Sequence, residues 1–410
     1  MPTTIAQPFD ARTDETLRTL DAGGQYKHLQ TILSPMDAEI RMRTPEGKEV
    51  DVLCFCSNNY LGLANHPEVV EAGIEGLRKY GAGTASVRFI CGTFEPHEQL
   101  EATIARYMGT ESSYTFVSCW NATETLFPTF CEAGDMVISD ALNHACIIDS
   151  IRLTSVIKKG VFKGVYKHSD LEHLETRLQE ARDNADITGQ IWVVTDGVFS
   201  MEGDIADLPG LRKLCDKYDA KLVVDDSHAH GVMGKTGRGT HEHYGMVPGG
   251  DAGLVDYFTG TLGKGLGGGA GGFLAGPKRG TELVIQRGRP TLFSNALPVT
   301  VACSANKAIE IVMREPERVQ QLRDNVAYAR ERIGAAGFEI LESPTAICPI
   351  IVGDTAKAIG MSKRLLELGV FVIGFGYPVV PEGTARLRIQ MSAAHTTSHI
   401  DRLVDALKKL

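Results

Sequence analysis

No run in this 410-residue chain is apolar over the roughly eighteen residues needed to cross a bilayer, so no membrane span is expected. Basic charge is also in short supply: 42 lysines and arginines stand against 51 aspartates and glutamates, a formal net charge of -9. With no basic stripe breaking through that balance, a general nucleic-acid binder is excluded. The nine cysteines are odd in number and scattered without framework spacing, which fits the reduced thiols of a cytosol rather than a disulfide scaffold. Metal-ligand spacing is lacking too. Cys54 and Cys56 alternate within "DVLCFCSNNY" as residues on one strand face do, but no second C-x-C or nearby histidine completes four ligands. "SHAH" (227–230) and "HEH" (241–243) are incomplete in the same way. The opening stretch "MPTTIAQPFDARTDE" has no apolar core of the kind a secretory leader needs. Internal repeats and low-complexity tracts are absent.

What is present is ordinary globular material, 43% hydrophobic and 23% charged, in a chain long enough for two domains and a large core. Residues 1–58 read as an arm that docks elsewhere: a helical stretch, "DETLRTLDAGGQYKHLQ", then polar connections, too little for a core of its own. From about residue 65, helical spacing alternates with short apolar runs: "SSYTFVS", "DMVISD", "QIWVVTDGVFS", "KLVVDDSH" and "LVDYFTG". Runs apolar on both faces, joined by helical crossovers, predict an α/β domain over 59–295 with a mostly parallel sheet and helices on both faces. Residues 296–410 predict a smaller α+β domain. Its long helical stretch breaks at Glu315-Pro316, its strands are "FEIL", "CPIIVG", "VFVIGF" and "ARLRIQMS", and its last helix starts at Thr397.

The most unusual stretch is "TGTLGKGLGGGAGG" (259–272), one lysine among many glycines. Two nucleotide motifs fail on context. The dinucleotide fingerprint must open a helix, yet "GGFLAG" reads as a strand; the phosphate loop needs Ser or Thr after its lysine, where this chain has Gly265. A glycine-rich hairpin with Lys264 in water remains open from this stretch alone.

Ligands of parallel sheets bind beyond the carboxyl ends of the strands. Those ends carry Ser118, Cys119, Trp120 and Asn121 at a helix start, then His144, Ser200, Asp225 with Asp226 and His228, and Lys264. Singly these could be caps, turn residues or core histidines. Together they suit pyridoxal 5'-phosphate, which needs a lysine amine, an acidic partner for its ring nitrogen, an aromatic face and phosphate donors. Asp225 takes the ring nitrogen and His144 the ring face. Helix-start amides at 119–121 take the phosphate, and small neighbours of Lys264 let the cofactor approach the backbone.

The motifs "FCSNNYLGLANHP", "GAGTASVRFICGT", "ISDALNHACIID", "TDGVFSMEGDIADL", "VVDDSHAHGVMGKTGRG", "TGTLGKGLGGGAGG" and "ARLRIQMSAAHT" together resemble the α-oxoamine synthases, fold-type I pyridoxal-phosphate enzymes, and in wording the glycine C-acetyltransferase branch. The likeness runs in order from about residue 25 to the end. It implies Lys264 as the Schiff-base lysine, Asp225 at the ring nitrogen and His144 stacked on the ring. It implies His228 and Ser200 at the phenolic oxygen, and Thr261 at the phosphate, with Ser294 reaching the partner subunit's site. Asn58 and Arg388 match positions that hold the substrate carboxylate, a task suited to a bidentate guanidinium. Arg386 lies two residues away on the same strand face, and alternation leaves the choice between the two arginines open.

The implied reaction is a condensation of glycine, or a similar small amino acid, with an acyl-CoA, most simply acetyl-CoA, in a cytoplasmic homodimer with shared sites. No metal, nucleic acid or membrane is implied. Longer acyl donors, as in 8-amino-7-oxononanoate or sphingoid-base synthesis, are the alternative. Trp120, Glu124 and His230 depart from the family's usual wording and bear on that choice.

Overall fold

The computed structural model describes residues 8–23, 25–377 and 379–410. The first seven residues, part of the stretch read for a leader, lie outside the described residues.

Among the described residues, seven strands form the central sheet, in the spatial order Ser112–Phe116, Gly272–Gly276, Tyr257–Thr261, Ala220–Asp225, Ile191–Asp196, Met136–Asp140 and Phe162–Tyr166. Six of them run in the same direction, and Gly272–Gly276 runs antiparallel to both its neighbours. The apolar runs are continuous because both faces are covered. Val193, Leu222 and Val224 enter one core, while their chain neighbours Trp192, Val194 and Val223 enter the opposite one. Alternation along each strand supplies two cores at once. The strand Phe162–Tyr166 escaped the sequence reading: as an edge strand it buries Tyr166 but exposes Lys163 and Val165, so no continuous run marks it.

The arm differs from expectation. Its helix spans Phe9–Ala22 and stops there, with no buried residue. The polar connections contain strands Glu39–Arg43 and Glu49–Cys54, and Glu49–Cys54 pairs in parallel with Val370–Phe371 near the other end of the chain. Cys54 closes that strand and Cys56 lies just past it.

Among the later elements, helices Val299–Arg314 and Glu317–Ala335 flank the break at Pro316. The last helix, Thr397–Leu407, is capped by Thr396 and buries Ile400, Leu403, Val404 and Leu407. "FEIL" is not a strand: it contributes one bridge, Ile340 to Ile350, because the chain leaves the sheet edge on either side. "VFVIGF" divides between two sheets. Val370–Phe371 joins the arm, whereas Ile373–Phe375 joins Ile347–Gly353 and Ala385–Gln390 in a three-stranded antiparallel sheet. No helix among the described residues is long and apolar enough to cross a membrane.

Candidate active site

Glycine spacing in 259–272 makes a hairpin between Tyr257–Thr261 and Gly272–Gly276, as the motif suggests. Its lysine does not extend into water. Lys264 is partly buried, and burial pulls its pKa below the ordinary lysine range, against the opposing charge of Asp225. The glycines around it are required by contact. A Cβ at Gly265 would stand 2.5 Å from the His230 carbonyl, and one at Gly272 2.2 Å from the Cys119 nitrogen. The hairpin therefore presses directly on the start of helix Cys119–Phe130.

That helix is capped by Ser118, whose side chain accepts from the Asn121 amide at 3.2 Å. The amides of Cys119 and Trp120 have no carbonyl to bond within the helix. Thr261 lies across the hairpin, where its hydroxyl accepts from the Gly263 amide at 3.0 Å. Ser118 bridges to Gly271, so cap, hairpin and Thr261 form one rim.

Asp225 ends strand Ala220–Asp225 and is 5% exposed. Its carboxylate accepts from Thr259 Oγ1 (2.9 Å), Ser227 N (3.0 Å), Thr123 Oγ1 (3.4 Å) and Cys119 Sγ (3.5 Å). Burial, and then the charge of Asp225, push the Cys119 thiol up, so it stands as a protonated donor. The next strand end bears Asp196, in register with Asp225. Asp196 is raised well above the usual carboxylate range by burial and by Asp225, and its Oδ2 accepts the backbone amide of His144 at 3.1 Å.

His144 caps helix Ala145–Ile157: its Nδ1 accepts from the Cys146 amide at 3.2 Å, leaving the ring exposed above the strand ends. Trp120 meets that ring edge-on at 6.2 Å between centroids and is itself 41% exposed. Glu124 accepts from Asn121 Nδ2 at 3.5 Å. Ser200 lies partly buried in the turn after Ile191–Asp196, and Ser294 follows helix Arg289–Phe293 and lines a small crevice with Asn121.

His228 is buried and held well below its usual pKa, first by burial and then by the charges of Lys264 and Arg388, so the ring is neutral. The two arginines separate. Arg386 donates to Glu202 (3.1 Å) and to the Met201 carbonyl (3.0 Å), a structural clasp. Arg388 is buried, has no partner at Nε, and is felt by Lys264, His228 and Cys56. Asn58 approaches the same place through Gln390, at 2.6 Å. His230, the departure, is 1% exposed, tilted against Phe273 with centroids 5.4 Å apart, and pushed down to about 4 by burial. Its neutral ring fills space behind the hairpin.

Sequence reasoning missed Asp196, Thr123, Thr259, Tyr60 and Gln390. Asp196 alone left a local signal, an acidic residue at a strand end. The others reach the site only through folding.

A doubly covered parallel sheet with a partly buried lysine and an aspartate at converging strand ends is the architecture of the fold-type I transferases. Residues 50–407 match the family described as aminotransferase class I and II, and the chain belongs to that family. It is 44% identical to the 2-amino-3-ketobutyrate coenzyme A ligase of Escherichia coli K12, over 98% of this chain and 97% of that one. It is 41% identical to the 8-amino-7-oxononanoate synthase of Alkaliphilus metalliredigens, over 97% and 95%. A solved structure of "SPT with PLP internal aldimine" superposes with a TM-score of 0.87 at 29% identity, covering 98% of this chain and 96% of the other.

The residues present fit pyridoxal phosphate. Lys264 supplies an amine whose charge burial disfavours. One strand away, Asp225 supplies a carboxylate, and the cap of Cys119–Phe130 supplies amides aimed outward along a helix axis.

Proposed function

We propose that this protein condenses glycine with an acyl-CoA, acetyl-CoA in the simplest case, giving 2-amino-3-oxobutanoate and free CoA, with pyridoxal 5'-phosphate as cofactor. The convergence of Lys264 and Asp225 carries this reading, and the names of the relatives support the substrate pair. When bound, the cofactor supplies a sink for negative charge at the amino acid's Cα.

Each side chain then has a task. Asp225 presents an anion to the ring nitrogen, and its four donors fix the direction in which it points. Ser118, Cys119, Trp120 and Thr261 form the anion rim for the phosphate. His144 covers the ring face, and its backbone is tied to Asp196. His228 and Ser200 attend the phenolic oxygen. Arg388 and Asn58 orient the substrate carboxylate. Lys264 Nζ, kept from its usual charge by burial, takes the Cα proton.

We also propose a cytoplasmic homodimer serving threonine catabolism, with Ser294 reaching the partner's site. Supporting the dimer, Phe89, Ile90 and Phe293 are 59%, 69% and 72% exposed, an unusual load of bare apolar surface. The decisive assay supplies glycine and acetyl-CoA and weighs the product. Appearance of 2-amino-3-oxobutanoate supports the reading; turnover only with longer acyl-CoAs transfers it to the oxononanoate or sphingoid-base type.

A further inference from the structure

Tyr60 has no place in the sequence-derived site, yet it stands between that site's two ends. Its side chain is fully buried, and burial raises its pKa, so the hydroxyl keeps its proton. The hydroxyl oxygen lies 2.7 Å from His228 Nδ1 and 2.9 Å from the Gln390 side-chain amide. That amide can sit two ways. In one, its nitrogen donates to Tyr60 and, at 2.6 Å, to Asn58 Oδ1. Turned over, the nitrogen donates to the Cys56 carbonyl at 2.6 Å, and the oxygen accepts from Tyr60, from Arg388 Nη2 at 3.3 Å and, once the Asn58 amide turns with it to present its nitrogen, from Asn58 at 2.6 Å.

A neutral imidazole carries one proton on one of two nitrogens, and a hydroxyl has one proton to give. If Tyr60 donates to His228 Nδ1, the imidazole proton sits on Nε2. If Tyr60 donates to Gln390, the proton sits on Nδ1 and Nε2 is bare. Asn58 Oδ1, at 3.5 Å, is a far longer acceptor for the hydroxyl than His228 at 2.7 Å, so each amide orientation favours one tautomer.

We propose that Tyr60 is a positioning residue: its hydroxyl fixes which nitrogen of His228 holds the imidazole proton, and Gln390 joins that choice to the Asn58 and Arg388 end of the site. The inference rests on the cofactor reading above for what His228 faces, and stands apart from it for the hydrogen bonds themselves.

The test compares the wild-type protein with Tyr60→Phe, which keeps the ring and removes the hydroxyl. Nitrogen-15 spectra of histidine-labelled apoprotein read the tautomer of His228 without the cofactor. The wild type is expected to hold one tautomer. Loss of one neutral hydrogen bond should change the tautomer ratio about threefold to tenfold in the variant. In holoenzyme, the pH midpoint of the visible absorbance should move by roughly half a unit or more, and kcat should fall about tenfold with KM for glycine within about twofold. A wild-type mixture of both tautomers overturns the proposal, as does a variant with the wild-type ratio and midpoint. Failure of borohydride to fix a cofactor on Lys264 would sink the cofactor reading instead, and would leave the tautomer result standing.

Discussion

At the scale of single residues, the site depends on where charge is disfavoured. Lys264 has a depressed pKa because burial penalises the ammonium more than Asp225 restores it. A base must be deprotonated to act, so activity should rise with pH through that depressed pKa and level off above it, with the acid limb below the ordinary lysine range. A pH profile of kcat measures the limb. Lys264→Ala should lower kcat by about 10²- to 10⁴-fold and leave no borohydride-fixable cofactor; full activity with retained absorbance refutes the assignment. Asp225→Asn keeps shape but loses the anion opposite the ring nitrogen. Turnover should fall at least about a hundredfold while cofactor stays bound, as read by absorbance and steady-state kinetics. The residue scale is also where local sequence was weakest. Arg386 and Arg388 share a strand face, and nothing within "ARLRIQ" separates an arginine bound to Glu202 from one with a free Nε.

At the scale of elements, the glycine hairpin is defined by what it touches. Gly272 faces the first residue of helix Cys119–Phe130 so closely that a methyl group would overlap the Cys119 nitrogen. Gly272→Ala should therefore displace the helix start or the hairpin, weakening cofactor binding at least about tenfold and lowering stability by about 1–3 kcal/mol. Equilibrium dialysis of cofactor and urea unfolding check the two effects, and a variant equal to wild type in both would show that the hairpin is free to move. Most elements were legible because their signals are local. The apolar runs, "GGFLAG" among them, marked six of the central strands, Pro316 marked a helix boundary, and the spacing of Ile400, Leu403, Val404 and Leu407 marked the last helix. The exceptions were elements at edges. Phe162–Tyr166 has one bare face, and "VFVIGF" is divided between sheets by pairings with distant strands.

At the scale of the whole molecule, the two ends of the chain are joined by buried polar contacts. His395, 3% exposed, lies 3.0 Å from the Cys54 carbonyl through Nε2, accepts from the Ser392 amide through Nδ1, and stacks on Phe55. Burial pushes its pKa down to about 4. A histidine depressed on folding binds its proton more readily when unfolded. Stability is therefore constant above about pH 6.5, declines as pH falls toward about 4, and levels off below. Between pH 7 and pH 4.5 this one group should cost about 2.5 kcal/mol, and His230, also held to about 4, acts in the same direction. Urea unfolding at both values should show His395→Gln losing less stability on acidification than wild type. Equal losses would mean that the ring is protonated alike in the two states.

The sequence by itself determined the alternating α/β plan, the glycine hairpin, and the strand ends at which Lys264, Asp225, His144 and His228 stand. These follow from periodicity and turn chemistry within about ten residues of each position. Only the tertiary structure decided that Lys264 turns away from water, that Arg386 is clasped by Glu202 while Arg388 keeps a free Nε among the described residues, that Asp196 holds His144, and that Tyr60 meets His228. The physical reason is range. A side chain's charge state and hydrogen-bond partner depend on which groups surround it, and Tyr60 meets partners 168 and 330 residues further along the chain.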